Sequence, residues 1–183
     1  MIKQDENGQE RGSLAKLFQI KDLLMSTDGV FYATSEEDIE LHGVTVFSGF
    51  TADADPDPLI PELLKRARSR TDESGKVTLV LIGSGITADA RSFFAYGADR
   101  IFIYDDPEFR SPAQDRYKAV FSHFLENYKP DAIMAAGNET GKALLNCLTG
   151  AVVKFPEKPL KLSAPTPPDP ARRGELVICK ISE

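Results

Sequence analysis

The sequence predicts an α/β fold, a parallel sheet covered by helices on both faces to make three layers. Three observations carry that expectation: short apolar β-branched runs, amphipathic stretches at helical spacing between them, and glycine or proline at their junctions. The first strand is expected at 44–50 (VTVFSGF), and a helix at 59–70 sets Leu59, Leu63 and Ala67 on one face. Residues 77–83 (VTLVLIG) are almost continuously apolar, as in a strand buried on both sides. A short helix over 87–96 follows, with Gly97 placed to cap it. The third strand is RIFIY at 100–104, and the helix of 112–128 buries Tyr117, Val120, Phe121, Phe124 and Leu125 before Pro130 stops it. A fourth strand at 132–136 (AIMAA) leads into a helix at 140–148. Strands and helices alternating at these lengths require right-handed crossovers.

The flanks read differently. Residues 1–12 are polar and expected to be disordered, and 13–24 (SLAKLFQIKDLL) suggest an amphipathic helix capped by Ser13. A turn at Thr27-Asp28-Gly29 precedes a short strand at 30–33. Late prolines, among them Pro165, Pro167, Pro168 and Pro170, mark an extended surface segment. It ends in GELVICKIS, a strand that returns to the sheet or pairs with a partner. The expected divisions are an extension at 1–42, the α/β domain at 43–150 and a proline-rich tail at 151–183.

Composition narrows the function classes. The 28 acidic residues outnumber the 22 basic ones, giving a net charge of −6, which argues against a phosphate backbone as partner. No apolar run approaches the length of a membrane span and no secretory signal opens the chain, so the expectation is a cytoplasmic protein that avoids nucleic acid and membrane. The two cysteines, Cys147 and Cys179, are expected as buried thiols, although a disulfide is possible by count.

Two glycine loops are candidates for holding phosphate. Gly83-Ser84-Gly85-Ile86-Thr87-Ala88 fits G-x-G-x-x-A between a strand and a helix, and Asp105 ends the next strand where a ribose-binding carboxylate would stand. The competing reading, favoured here, is a tight turn capped by Ser84 or Thr87. The second loop, Gly137-Asn138-Glu139-Thr140-Gly141-Lys142-Ala143, is one residue short of a triphosphate loop and has Ala143 where a magnesium-binding hydroxyl belongs. It still opens a helix at a strand's carboxyl end, with Asn138 or Thr140 as a simple cap in the competing reading. Asp53, Asp55 and Asp57 do not make a calcium loop, because Pro58 and Leu64 occupy positions that need glycine and glutamate. His42 and His123 are isolated, and no nucleophile elbow or metalloprotease motif is present. The residues therefore argue against an independent enzyme.

Over residues 43–150 the chain resembles electron transfer flavoprotein alpha subunits. GVTVFSGF with PLIPELLKRARS, VTLVLIGSG, GADRIFIYDDPEF and YKPDAIMAAGNETGKALLNCL resemble, in order, four of that family's strand-and-junction pieces. The resemblance implies a Rossmann-like fold of the adenine-nucleotide alpha-hydrolase type, packed against an electron transfer flavoprotein beta-like subunit, with a homo-oligomer as the other option. In that family the flavin is held mainly by a following C-terminal domain, and the sequence ends at Glu183 without one. FAD or AMP is accordingly expected only together with a partner subunit. Rival expectations are a small nucleotide- or dinucleotide-binding module and a non-catalytic interaction domain.

Overall fold

The computed structural model describes residues 14, 17–36, 38–51, 58–111, 113–155 and 158–181. The expected disorder of 1–12, the Ser13 cap and the Asp53–Asp57 loop lie outside these residues. Among the described residues seven strands form one sheet: β1 (Ile20–Met25), β2 (Val30–Ser35), β3 (Leu41–Thr51), β4 (Lys76–Ser84), β5 (Arg100–Asp105), β6 (Pro130–Ala136) and β7 (Glu175–Ile178). Their order is β1-β2-β6-β3-β4-β5-β7. From β6 to β7 neighbouring strands run parallel. The sheet is not wholly parallel as expected, because β1 and β2 make an antiparallel hairpin that joins β6 antiparallel. A hairpin can add to an edge through a tight turn, whereas a parallel strand needs a long crossover.

Helices cover both faces. Helix α1 (Leu59–Arg70) and the stretch formed by α2 (Thr87–Ala90) and a 3-10 helix (Arg91–Tyr96) pack on one face. Helices α3 (Gln114–Tyr128) and α4 (Glu139–Thr149) pack on the other. α1 has the expected bounds, with Ile60, Leu63, Leu64 and Ala67 fully buried. The helix of 87–96 tightens after one turn, and Gly97 ends it at φ 109, a left-handed conformation that suits glycine. Lys129, at φ 40, ends α3 and turns the chain so that Pro130 starts β6. On the α3 side the core is aromatic: Phe124 meets Phe47 and Phe102 edge-on, both at 5.2 Å between centroids.

The helix expected over 13–24 is a correction. Leu14 and Leu17 are helical and Phe18 N–H donates to Leu14 O, but residues 20–25 are β1. Leucine spacing alone does not separate the two states here. Pairing with β2 across the Ser26–Gly29 turn decides for the strand: Gly29 takes φ 80, and Ser26 N–H donates to Val30 O at 2.9 Å.

The proline-rich segment leaves α4, crosses to the α1 face and returns to the sheet. Phe155 packs near Phe31, Leu160 joins the opposite core, and Ser163 reaches the buried Glu62. Further along, Arg172 pairs with Asp99, and β7 then adds parallel to β5. Of the two tail readings, the return to the sheet is the one observed. Cys147 and Cys179 are buried and are not joined in a disulfide. No helix among the described residues is long and apolar enough to cross a membrane.

Candidate functional site

In an open α/β sheet, ligands gather at the carboxyl ends of the strands where the chain reverses its direction of travel across the sheet. That point here lies between β3 and β6. The chain steps from β3 to β4 to β5, then returns past β3 to place β6 on its other side. Both glycine loops open at this end, one after β4 and one after β6. They flank β3, which by strand spacing sets them about 10 Å apart.

The loop after β6 adjoins the reversal point. Gly137 N–H donates to Gly29 O, tying the loop to the hairpin turn. Asn138 caps α4, its side chain accepting from Gly141 N–H at 3.0 Å, so Asn138 rather than Thr140 is the cap. Thr140 is 3% exposed and lies against Gly49 of β3, where a Cβ would overlap its hydroxyl. Gly141 sits against Ala136 O with no room for a side chain. Lys142 is exposed near the start of α4, and Glu139 is an acidic residue of its first turn.

The loop after β4 is closed from within. Asp105, at the end of β5, accepts from Gly85 N–H at 2.6 Å, from Thr87 N–H at 3.0 Å and from the Thr87 hydroxyl at 2.6 Å. Partial burial works to raise the Asp105 pKa, but these hydrogen bonds outweigh it and hold the carboxyl below its ordinary value. Neither Ser84 nor Thr87 caps the short helix, the alternative offered by sequence; the cap arrives from the neighbouring strand. Ser84 is buried at the end of β4 and Gly83 is paired with Asp105 across the sheet. The amides that would meet a pyrophosphate are therefore already bonded to a carboxylate. This turn does not fit a dinucleotide unless Asp105 moves.

Sequence reading located the residues of this end of the sheet but missed what Asp105 does. The signal was present: an acid closing the strand after a G-x-G turn can as readily satisfy that turn as bind a ribose. Elsewhere, His123 Nδ1 lies 2.8 Å from the Tyr104 hydroxyl on the α3 face. Burial pushes the Cys179 thiol up, against hydrogen bonds from Tyr104 and Tyr128, so it is held as a thiol and not as a nucleophilic thiolate. Among the described residues no group of three or more His, Cys, Asp or Glu could hold a metal ion.

The profile of the electron transfer flavoprotein domain matches residues 45–151. The chain is 28% identical over 123 residues to "Lactate dehydrogenase (NAD(+),ferredoxin) subunit LctC" of Acetobacterium woodii, which covers 64% of this chain and 29% of that protein. It is 31% identical over 84 residues to the electron transfer flavoprotein subunit alpha of Megasphaera elsdenii, covering 45% and 25%. It is 30% identical over 84 residues to the acryloyl-CoA reductase electron transfer subunit beta of Anaerotignum propionicum, covering 45% and 23%. The matched region thus spans about a quarter of the length of these relatives.

Proposed function

Because the chain belongs to the electron transfer flavoprotein domain family, we propose that it acts as an alpha-type subunit or accessory in flavin-dependent electron transfer. In this reading it is not an independent enzyme. It works by docking a partner, an electron transfer flavoprotein beta-like subunit, that supplies flavin or AMP. The observation that carries the reading is the internally satisfied Gly83–Gly85 turn, whose amides are held by Asp105. A cradle filled by its own carboxylate supports a scaffold role for this chain more than a flavin-holding one. The carboxyl ends of β3, β4 and β6, with Gly137, Asn138, Thr140, Gly141 and Lys142 among them, are then the surface offered to the partner's cofactor. A cytoplasmic setting belongs to the same proposal.

The second reading, a small nucleotide-binding module, is favoured by the α4 start alone, where buried Thr140 and exposed Lys142 stand beside the reversal point. Thermal shift of the isolated chain with AMP, ATP, NAD and FAD, together with its absorbance spectrum, separates the two. The subunit reading expects a colourless chain and no shift, with flavin absorbance gained only in complex with a beta-like subunit. The module reading expects a shift, worth about 2.7 kcal/mol of stabilisation at a hundred times the dissociation constant. Thr140→Val removes that shift if the α4 start holds the ligand. Gly85→Val, at a position where glycine takes φ 72, removes it if the turn after β4 holds the ligand instead.

A further inference from the structure

The glycine loop after β6 is held from outside the crossover that forms it. Gly137 N–H donates to Gly29 O, so the loop's first residue hangs on the hairpin turn. The ring of Phe155, from the proline-rich tail, closes the same space. A Cβ placed on Gly137 would stand 2.8 Å from Gly29 O and 2.8 Å from Phe155 Cδ1, which leaves no room for a side chain between turn and ring. The ring is itself fixed in place. It packs on buried Phe31 at 5.9 Å between centroids, and two residues earlier Val153 N–H donates to the Asn146 side chain of α4 at 2.9 Å.

The same turn and the same tail are joined a second time, through α1. Arg66 donates from Nε to Glu62 at 2.8 Å, and one of its terminal nitrogens reaches both Asp28 of the turn at 2.8 Å and Lys161 O of the tail at 2.9 Å. Glu62 in turn accepts from the Ser163 amide and hydroxyl. The contacts close a circuit: Gly137 on the Gly29 turn, the turn on Arg66, and Arg66 on the tail that carries Phe155 back to Gly137. A guanidinium suits this junction, because its planar fork offers several donors at fixed angles. Half-exposed ion pairs add little stability on their own, so the importance of Arg66 lies in what it joins.

We propose that Arg66 and Phe155 are positioning residues for the loop that opens at Gly137, and that seating of the tail on α1 sets the conformation of that loop. This rests on the subunit reading, under which the loop is part of the surface offered to a partner's cofactor. Coupling of this kind is reciprocal: a partner that fixes the loop favours the seated tail, and one that lifts the tail releases the loop. The turn after β4 supplies an internal control, because its amides are closed by Asp105 from the neighbouring strand.

Amide hydrogen exchange of the full chain, followed by NMR, tests the coupling from tail to loop. Arg66→Met keeps the apolar stem and removes the tie between turn and tail; Phe155→Ala removes the ring. Each should speed exchange of the Gly137 amide several-fold and leave the Gly85 and Thr87 amides at native rates. A second measurement runs the coupling backwards. Gly137→Ala must push the ring or the turn aside, and should speed proteolysis between residues 158 and 170 several-fold. Unchanged Gly137 exchange in either tail variant overturns the proposal. So does exchange that rises equally at Gly85 and Thr87, which marks general loosening, or a native proteolysis rate in Gly137→Ala. All three variants are read without flavin or nucleotide, so failure here is distinct from failure of the electron-transfer reading, which shows as no flavin absorbance gained with a beta-like subunit.

Discussion

Asp105 shows how one side chain changes the meaning of a motif. Its carboxylate takes two amide hydrogens and a hydroxyl from the turn that sequence marks as a phosphate site. Asp105→Ala should cost about 1 kcal/mol, the usual loss for a helix cap, and lower the melting temperature by about 2–4 °C for a chain of this size. The same variant also frees the amides. If the turn retains any affinity for anions, inorganic phosphate should recover part of that lost melting temperature in Asp105→Ala and none in the native chain. Gly141 gives a contrasting case, since a side chain there meets the Ala136 carbonyl, which cannot yield without distorting β6. Gly141→Ala is expected to destabilise by more than the about 1 kcal/mol that alanine would ordinarily add to a helix, read as a lowered midpoint in urea.

At the scale of elements, the tail acts as a strap. Between α4 and β7 its described residues have no regular secondary structure and are held by side chains of α1 and its neighbours. Glu62, 8% exposed, accepts from Ser163 N–H at 3.1 Å and the Ser163 hydroxyl at 2.6 Å. Lys65 donates to Ala164 O and Arg66 to Lys161 O. At the far end Asp99 binds Arg68, Arg172 and Val77 N–H, joining α1, the strap and β4 at one carboxylate. Glu62→Ala should leave the parallel sheet intact and loosen the strap, because its partners lie in the tail and in α1 itself. Limited proteolysis followed by mass spectrometry should then find cleavage between residues 158 and 170 several-fold faster than in the native chain. Equal rates would mean that packing of Leu160 and Phe155, and not Glu62, holds the segment.

For the whole molecule, these carboxylates set the response to acid. In Glu62, Asp99 and Asp105 alike, burial works to raise the pKa and is outweighed. The opposing bonds come from Ser163 and Arg66 at Glu62, from Val77 N–H, Arg68 and Arg172 at Asp99, and from Thr87 and Gly85 at Asp105. A carboxylate whose folded pKa lies below its unfolded value stabilises the fold above the unfolded value, near 4, and loses that contribution as pH falls through the folded one. Melting temperature should thus stay level from neutral pH to about 4 and fall steeply below it. Asp99→Asn should flatten that fall while lowering stability at neutral pH. A fall that begins near pH 6 would instead mean that these carboxylates do not set the acid response.

Much of the fold was legible because the relevant forces are local. The apolar run of β4, the helical spacing of α1 and the glycine at the end of the 3-10 helix each state their structure within about ten residues. The Asn138 cap was legible for the same reason, as its partner is three residues away. Three features were not. Residues 20–25 carry leucines that suit either a helix or a strand, and only pairing with β2 chose. The parallel pairing of β7 with β5 joins residues more than 70 positions apart, so no local pattern encodes it. Asp105 was visible as an acid in the right place, but its hydrogens come from residues 18 and 20 positions earlier. By itself the sequence determined the class of fold and the family, since periodicity and junction residues are properties of the chain alone. Tertiary structure alone decided which strands share an edge, which carboxylate fills which turn, and which apolar residues stay uncovered. Those depend on long-range neighbours that no spacing along the chain can specify.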